Sequence, residues 1–425
     1  MTDSSPINRR EFVGAAAGIM FIRPELVRGS KANSAIQLGL IGCGGRGTAV
    51  ATGFATHTDT RVAALADLFA GQLDKAKAHF DELAAKKGYA GIDPKLMFRG
   101  PKAYQELVSS KLIDVVQIST INYFHPEHLE AAVAAGKHVY CEKPVAVDVA
   151  GCKRVMRLAE KIAKSKQSVE IGFQIRSAPP FAELVRRIHG GALGKIACAS
   201  AHYHATAIEY PPRSNMSPAE VRLRNWYWDR ILSGDVIVDQ NIHVIDTCNW
   251  ILQGHPTKVS AAHARRVRTD SGDCSDHFSV IFHYPDDVHV TFDSVQFCNK
   301  LWDVTERIFG SRGVSESPYS GPLRIIGDEA WEWKQPGAEA GKKGEFSVTG
   351  EFTDNLWQAD EMKQKGFIES IVSRKYHNQA QAGAESALSA ILARTAAYSG
   401  REMTWDALLK TDQTYDAGID LDKLG

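Results

Sequence analysis

The feature that most constrains this chain is a glycine-rich turn that joins an apolar strand candidate to a helix candidate. Residues 42–47 read Gly-Cys-Gly-Gly-Arg-Gly, and the apolar run of residues 36–41 comes directly before them. In such a turn the first glycine permits the sharp bend, the second lets the backbone approach a pyrophosphate, and the last allows close packing of helix on strand. Free N–H groups at the helix N-terminus favour the anion. We therefore expect this turn to bind a dinucleotide, through Gly42, Gly44, Gly45, Arg46 and Gly47.

An acidic residue at a suitable distance supports the same cofactor. Asp67 stands 20 residues after Gly47, at the end of the next strand candidate, residues 61–66. A carboxylate at this position accepts hydrogen bonds from the ribose hydroxyls of NAD and repels the 2′-phosphate of NADP. No arginine directly follows Asp67, so we predict NAD, with NADP less favoured. A chain with 35 glycines can carry such a motif by chance, and the alternative is a purely structural turn.

The pattern of apolar residues divides the chain into two parts. Short apolar strands alternate with longer helical stretches from residue 35 to about residue 150, which is typical of βαβ units and a parallel sheet. From about residue 195 the strands look antiparallel, at residues 196–204, 259–267, 277–284 and 288–295. A helical stretch at residues 360–398 is expected to pack back on the rest. We predict an α/β Rossmann domain at residues 35–155 and an α+β domain at residues 156–425.

Composition excludes several classes of protein. The 425 residues predict two or three domains, and 44% hydrophobic with 24% charged residues is ordinary for a globular chain. Lys+Arg and Asp+Glu both number 50, so no basic excess indicates a nucleic-acid partner. No apolar run is long enough to span a membrane. The seven cysteines form no C-x-x-C pair.

The amino terminus carries a possible export signal. Arg9 and Arg10 precede Phe12 and a ten-residue apolar run, residues 13–22, which resembles a twin-arginine signal. The alternative is a frayed terminal helix. We assign residues 1–34 to this signal and a linker, and we predict periplasmic export, or a cytoplasmic protein if the signal is not real. An exported enzyme of this kind would fold around its cofactor inside the cell.

Two further groups of residues indicate chemistry. Lys143 follows the strand candidate at residues 138–141, at the carboxyl edge of the sheet where ligands bind in such folds. Asp239, His243 and Asp246 share roughly one face if their segment is helical. Removal of hydride from a carbinol needs a base for the hydroxyl proton, so His243 fits as the base, with Asp239 or Asp246 as its partner. Lys143 could stabilise the alkoxide. The alternative is an amphipathic helix with its acids in water.

With these motifs together, the sequence resembles the glucose-fructose oxidoreductase / inositol dehydrogenase / rhizopine-catabolism (Gfo/Idh/MocA) family. The resemblance also covers residues 119–125, Cys141-Glu142-Lys143-Pro144, residues 172–176, residues 383–386 and residues 404–405. It implies an N-terminal Rossmann fold and a C-terminal domain whose open, mainly antiparallel sheet carries the substrate site and often an oligomer interface. It further implies sugar, cyclitol or polyol substrates, with Lys143, Asp239 and His243 at the catalytic positions.

Other positions complete the predicted sites. For the cofactor we add Thr120, His125, Glu142 and Lys143, and for the substrate Lys143, Arg176, Trp228, Asp239, Asn241 and His243. Asn241 places an amide where many family members leave room with a glycine, and Thr120-Ile121 stands where many read Thr-Pro. His202 and His204 lie on one face of a strand, but no carboxylate-rich spacing completes a metal site, so we predict no metal.

Three functions stay open at this point. The leading one is NAD-dependent transfer of hydride between a sugar or polyol hydroxyl and a tightly bound nicotinamide, by a homo-oligomer formed through the C-terminal sheet. Because free NAD is scarce outside the cytoplasm, a redox-neutral glycosidase, lyase or epimerase acting through a transient keto-sugar is the alternative. A non-catalytic sugar-binding protein is the third, and Lys143, Asp239 and His243 together argue against it.

Overall fold

The computed structural model describes residues 35–209, 213–269, 272–334 and 353–424. The predicted export signal, residues 1–34, lies outside these ranges. Among the described helices, none combines the length and the apolar character needed to cross a bilayer.

Within the described residues, six parallel strands form the first sheet, in the order β3-β2-β1-β4-β5-β6. The strands are β1 (Ile36–Ile41), β2 (Thr60–Asp67), β3 (Met97–Arg99), β4 (Val115–Ile118), β5 (His138–Cys141) and β6 (Val169–Ile171). The central strands are buried along most of their length, which is why apolar residues dominate their sequences, with one glutamine in each, Gln37 in β1 and Gln117 in β4. The strand order reverses between β1 and β4, and ligands bind at such a switch point beyond the carboxyl ends of the strands.

Helices cover the first sheet and connect its strands. They are α1 (Gly45–His57), α2 (Ala70–Lys86), α3 (Ala103–Ser109), α4 (His125–Ala134) and α5 (Val149–Ile162). The alternation predicts this arrangement, and the Rossmann fold is confirmed. The sixth strand lies beyond residue 155, so the sheet extends past the point where we ended the first domain.

The second sheet is open and mainly antiparallel, as expected. Its order is β14-β13-β12-β11-β7-β10-β9-β8-β15, and among the described strands of this second sheet only the pair of β7 and β10 is parallel. The strands are β7 (Ile196–His204), β8 (Lys258–Ala264), β9 (His277–His283), β10 (His289–Val295), β11 (Asp303–Gly310), β12 (Gly313–Glu316), β13 (Arg324–Gly327), β14 (Trp331–Glu332) and β15 (Met403–Thr404). Burial alternates along β9 and β10, so one face of the sheet packs on the core and the other is exposed.

The remaining helices pack on the buried face and against the first sheet. They are α6 (Pro179–His189), α7 (Pro218–Arg224), α8 (Arg230–Ser233), α9 (Val236–Asp239), α10 (Ile242–Leu252), α11 (Ala359–Val372), α12 (Ala380–Ser399) and α13 (Trp405–Lys410). The stretch predicted as helical at residues 360–398 is two helices, since the chain turns after α11 with Arg374 at a φ of 59°. The Gln364 amide of α11 donates to the Val50 carbonyl of α1, and α12 is buried along most of its length.

Candidate active site

The glycine turn has the geometry that a dinucleotide site requires. Gly42 has a φ of 90°, and a Cβ there would lie 2.6 Å from the backbone of Ser119. A Cβ on Gly47 would lie 2.0 Å from the Gly42 carbonyl oxygen, so both positions need glycine for packing. At Gly44 and Gly45 a Cβ would meet nothing within 4 Å. These two residues face an open cleft at the N-terminus of α1, where backbone N–H groups are available to an anion.

Asp67 is fixed at the end of β2 by the turn itself. Its Oδ2 accepts a hydrogen bond of 2.7 Å from the Cys43 N–H, and its Oδ1 accepts one of 2.8 Å from the Phe69 N–H. Burial raises the pKa of the carboxyl, and these hydrogen bonds oppose the shift. The side chain lines the cleft, and a carboxylate has lone pairs left for further donors such as ribose hydroxyls.

The cleft is large enough for a cofactor. Its volume is about 760 Å³, within the range of ligand sites in proteins. Six predicted cofactor residues are among those that line it: Gly44, Gly45, Arg46, Gly47, Asp67 and Thr120. The residues present therefore fit a dinucleotide. Other lining residues, such as Arg224 and Ile419, come from much later in the chain, and no local motif indicated them.

A second cavity, of about 320 Å³, adjoins the cleft. Arg46, Ser119 and Thr120 line both spaces. The second cavity brings together the three predicted catalytic residues, Lys143, Asp239 and His243, with a set of polar and aromatic side chains that includes Asn122, Gln174, Tyr203, Tyr227, Gln240, Trp302 and Tyr319. This shape and composition suit a small polar molecule with apolar faces.

Lys143 and Asp239 are held together by short contacts. The Lys143 Nζ donates to the Asp239 backbone oxygen at 2.5 Å and lies 3.8 Å from its Oδ1. The Asn122 Nδ2 donates to the same Oδ1 at 2.6 Å and to the Ser233 carbonyl at 3.1 Å. Asn122 lies just beyond β4, so a residue at the edge of the first sheet positions a carboxylate of the second part. Asn122 is not among the site residues predicted from the sequence.

His243 is placed to stay neutral. Its side chain is buried, at 8% exposure, with its ring edge-on to Phe173 at 6.4 Å between centroids. Burial, assisted by the positive charge of Lys143, holds the pKa of the imidazole well below its usual value. A neutral imidazole at the cavity wall can accept a proton.

The catalytic segment is not one continuous helix. Helix α9 ends at Asp239 and α10 begins at Ile242, so the segment breaks at residues 240–241. Asp246 points elsewhere: both of its oxygens accept hydrogen bonds of 2.8 Å from Arg176, and Ser386 donates to its Oδ1 at 2.7 Å. Asp246 therefore has another partner than His243, and Arg176 is not among the residues that line either cavity.

Arg46 belongs to a largely buried group of charges beside both cavities, in which its own side chain is partly exposed. Its Nε donates to Glu142 at 2.8 Å and its Nη1 to Asp360 at 3.0 Å. The Lys363 Nζ donates to Asp360 at 2.6 Å. Burial by itself raises the pKa of Glu142, but Arg46 and Lys363 outweigh it and hold that pKa below its usual value. Glu142 thus pairs with Arg46 and also lines the second cavity, and its contact with the cofactor stays a prediction.

Like Arg176, the predicted site residues Trp228, His125 and Asn241 do not line either cavity. Trp228 is buried, with its Nε1 donating to the Ile208 carbonyl at 2.8 Å and the Arg268 guanidinium over its ring. His125 is fully buried, and its ring nitrogens contact the carbonyls of Pro144 and Thr120 at 2.6 Å and 2.9 Å. Asn241 is fully buried and lines neither cavity. The neighbours of Trp228, Trp226 and Tyr227, line the second cavity instead.

The histidine pair lies on the face of β7 opposite to Tyr203, which lines the cavity. Among the described residues, one cluster has metal-ligating atoms within 4.8 Å of one another: His202, His204 and Asp303. The carboxylate comes from the neighbouring strand β11, which sequence spacing could not show. The absence of a metal stays a prediction.

Comparison with known proteins identifies the family. Residues 36–169 match an oxidoreductase family model described as an NAD-binding Rossmann fold, and residues 181–316 match the GFO/IDH/MocA C-terminal domain. The chain belongs to the Gfo/Idh/MocA family. The predictions of family, Rossmann fold and NAD are confirmed. The matched regions together cover most of the described chain but do not reach residues 317–425.

Relatives of this Gfo/Idh/MocA protein include dehydrogenases of cyclitols and sugars. The inositol 2-dehydrogenase of Acidothermus cellulolyticus is 27% identical over 234 residues, which is 54% of this chain and 62% of that relative. The alignment thus spans less than two thirds of it. The scyllo-inositol dehydrogenase of Lactobacillus casei with NAD(H) and scyllo-inositol has a TM-score of 0.66 at 19% identity, covering 88% and 99% of the two chains. Levoglucosan dehydrogenase with NADH and levoglucosan has a TM-score of 0.67 at 18% identity, covering 87% and 99%.

Proposed function

We propose that this protein is an NAD-dependent dehydrogenase that transfers hydride between a hydroxyl carbon of a cyclitol or sugar and a tightly bound nicotinamide. One observation carries the proposal. Lys143, Asp239 and a neutral His243 line one small cavity, and that cavity adjoins a cleft built for a dinucleotide. Relatives that act on inositol and a solved neighbour that binds levoglucosan support a ring-shaped polyol as the substrate class.

In this proposal each residue has one role. Bound NAD supplies the carbon that accepts or returns hydride. His243 accepts the proton of the substrate hydroxyl, since its burial keeps it neutral. Lys143 stabilises negative charge on the substrate oxygen, and Asp239 fixes the lysine through the contacts described above. Gly44, Gly45, Gly47 and Thr120 are proposed to contact the cofactor along the cleft.

The cavity wall favours a polyol over an extended apolar substrate. Tyr203, Trp302 and Tyr319 present aromatic surface, while Gln174 and Gln240 add amide groups that pair with hydroxyls. The Tyr227 hydroxyl donates to the Gln240 Oε1 at 2.8 Å, which fixes this amide. Apolar faces and ring hydroxyls of a cyclitol match such a lining.

The test is the appearance of NADH when the purified protein and NAD meet a panel of inositols, aldoses and levoglucosan. We expect NADH to accumulate with at least one of them, and Lys143→Met to abolish this while Lys166→Met, at an exposed lysine, does not. No NADH with any member, together with cleavage of aryl glycosides, would instead support the redox-neutral reaction. Relatives named as dehydrogenases favour the first outcome.

Two further predictions stay part of the proposal. A homo-oligomer would use the exposed face of the second sheet, where Ile281 is 44% exposed. Ile281→Glu should then lower the mass measured by light scattering to that of a monomer.

The proposal of twin-arginine export rests on the sequence of residues 1–34 alone. Replacing Arg9 and Arg10 by lysines should keep a reporter protein fused to these residues in the cytoplasm.

A further inference from the structure

The C-terminal segment, residues 412–424, runs from α13 to the cofactor cleft. Ile419, Leu421 and their neighbours line the cleft together with Asp67 and Phe69. Because Asp67 marks the ribose of the adenosine half in folds of this kind, the segment lies at the adenosine end of the cleft. Neither region matched by the family models includes it.

Hydrogen bonds from separate parts of the chain hold the segment in this path. The Tyr415 N–H donates to the Asp148 Oδ2 at 2.8 Å. The Tyr123 hydroxyl donates to the Tyr415 carbonyl at 3.2 Å, and the Arg222 Nη1 donates to the Ala417 carbonyl at 2.8 Å. Asp148 and Tyr123 precede α5 and α4, whereas Arg222 lies on α7. The path of the segment is therefore defined before it reaches the cleft.

The segment also contributes to a small apolar cluster beside the cleft. Ala417 is buried in it with Leu223 and Leu232. The partly buried side chains packed on this cluster are Leu68, Phe69, Ile121, Tyr123, Phe124, Trp226, Ile231, Ile419, Leu421 and Leu424. The segment thus packs on residues that follow β2 and β4 and also on α7, and displacing it exposes apolar surface.

Arg224 adds a cation at the same end. Its Cζ lies 4.0 Å from the centroid of the Phe69 ring, and its Nε donates to Glu220 at 2.8 Å. The side chain lines the cleft, and its charge lowers the pKa of Asp67 against the effect of burial. A guanidinium stacks on planar rings and pairs with phosphate oxygens, which are the groups that an adenine nucleotide presents.

We propose that the C-terminal segment and Arg224 complete the adenosine end of the cofactor site and slow the release of the dinucleotide. This inference rests on the proposed function, because it requires the cleft to take NAD. The first half of the chain supplies the pyrophosphate turn and Asp67, and the late segment supplies the outer wall. Dissociation then requires the segment to leave its apolar cluster, which slows release of the cofactor.

The test measures release of NADH from the loaded protein by the change in fluorescence when excess NAD displaces it. A chain ending at Ala417 keeps the three anchoring hydrogen bonds and lacks the lining residues. Leu421→Ala removes one lining side chain, and Leu112→Ala, at a leucine 54% exposed, is the matched control. We expect release to be roughly tenfold faster or more in the shortened chain, faster in Leu421→Ala, and unchanged in Leu112→Ala.

The outcomes separate this inference from the proposed function. If the full chain binds NADH and all variants release it at the same rate, the segment does not retain the cofactor, and the proposed function is unaffected. If the full chain binds no NADH, both proposals fall. Should the shortened chain fail to fold, the Leu421→Ala rate decides, with the melting temperature of the cofactor-free variant as the check on its folding.

Discussion

Replacement of Glu306 by glutamine should remove a pH dependence of stability. Glu306 lies on β11, and its side chain is fully buried. The Ser317 hydroxyl donates to its Oε2 at 2.9 Å. Burial raises the pKa of this carboxyl to about 8, although hydrogen bonds from Ser317 and Thr247 oppose the shift. Thr247 belongs to α10, the helix that carries His243, so the buried acid lies under the candidate catalytic helix.

The sign follows from proton binding. In unfolded chains a glutamate loses its proton near its usual pKa of 4.5, whereas the folded protein keeps it up to a pH of about 8. Between these values the folded state binds more protons, so stability falls as pH rises, by at most about 1.4 kcal/mol per pH unit. Glutamine carries no proton to lose. The free energy of unfolding of the variant should therefore match that of the wild type near pH 4. It should exceed the wild-type value by at most roughly 3 kcal/mol at pH 7 and at most roughly 5 kcal/mol above pH 8.

The assay is urea-induced unfolding at a series of pH values from acid to mildly alkaline. Glu160→Gln, at an exposed glutamate, is the matched control and should follow the wild type at every pH. A constant difference between Glu306→Gln and the wild type across the series would refute the reasoning. So would a variant less stable than the wild type above pH 8, because it would show that the carboxylate is stabilised by a charge or donor not accounted for.

Substitutions in the cavity and the cleft have distinct expected effects. His243→Ala should lower kcat roughly 10²- to 10⁴-fold in steady-state assays and leave NAD affinity in a fluorescence titration unchanged; normal turnover would exclude it as the base. Asn122→Ala should lower kcat roughly tenfold to hundredfold, since Asp239 loses a short hydrogen bond, and an unaltered kcat would contradict its positioning role. Asp67→Ser should change the ratio of the Kd for NAD to the Kd for NADP, measured by calorimetry, roughly tenfold in favour of NADP. The variant keeps Arg224 but lacks the carboxylate that repels the 2′-phosphate, and an unchanged ratio would count against this reasoning.

Continuous apolar runs made the first sheet predictable. The strand predicted at residues 36–41 is β1, because a strand covered by helices on both faces leaves few positions for polar side chains, and Gln37 is the one polar residue in it. Strand β11 was not predicted. It reads Asp-Val-Thr-Glu-Arg-Ile-Phe-Gly, and the buried face of its alternation includes Glu306 between Val304 and Ile308. A charged residue at a buried position interrupts the alternation of apolar and polar residues, and this alternation is the pattern from which such a strand is predicted.

Local spacing identified the catalytic candidates but not their partners. Lys143, Asp239 and His243 line one cavity, although the helix assumed for the last two is interrupted. The partners of Asp246 are Arg176 and Ser386, which are 70 and 140 residues away in the sequence. Contacts over such separations are set by how the two sheets pack, and no spacing of three or four residues reports them. No local spacing indicates Asn122 either, since its partner Asp239 lies 117 residues later.

The packing of the two sheets also determines which groups near the glycine turn are available to bind an anion. Arg46 stands in the turn, yet its guanidinium is satisfied by Glu142 and Asp360, and Lys363 balances the second acid. A partly buried guanidinium that pairs with two buried carboxylates is costly to redirect, because each carboxylate left behind would be an uncompensated charge. Arg46, the positive side chain of the turn, therefore connects α1 to the end of β5 and to α11. We therefore expect binding of the phosphates to depend mainly on the backbone N–H groups of the turn and the N-terminus of α1. The open space at Gly44 and Gly45 then matters more for this binding than the charge of Arg46.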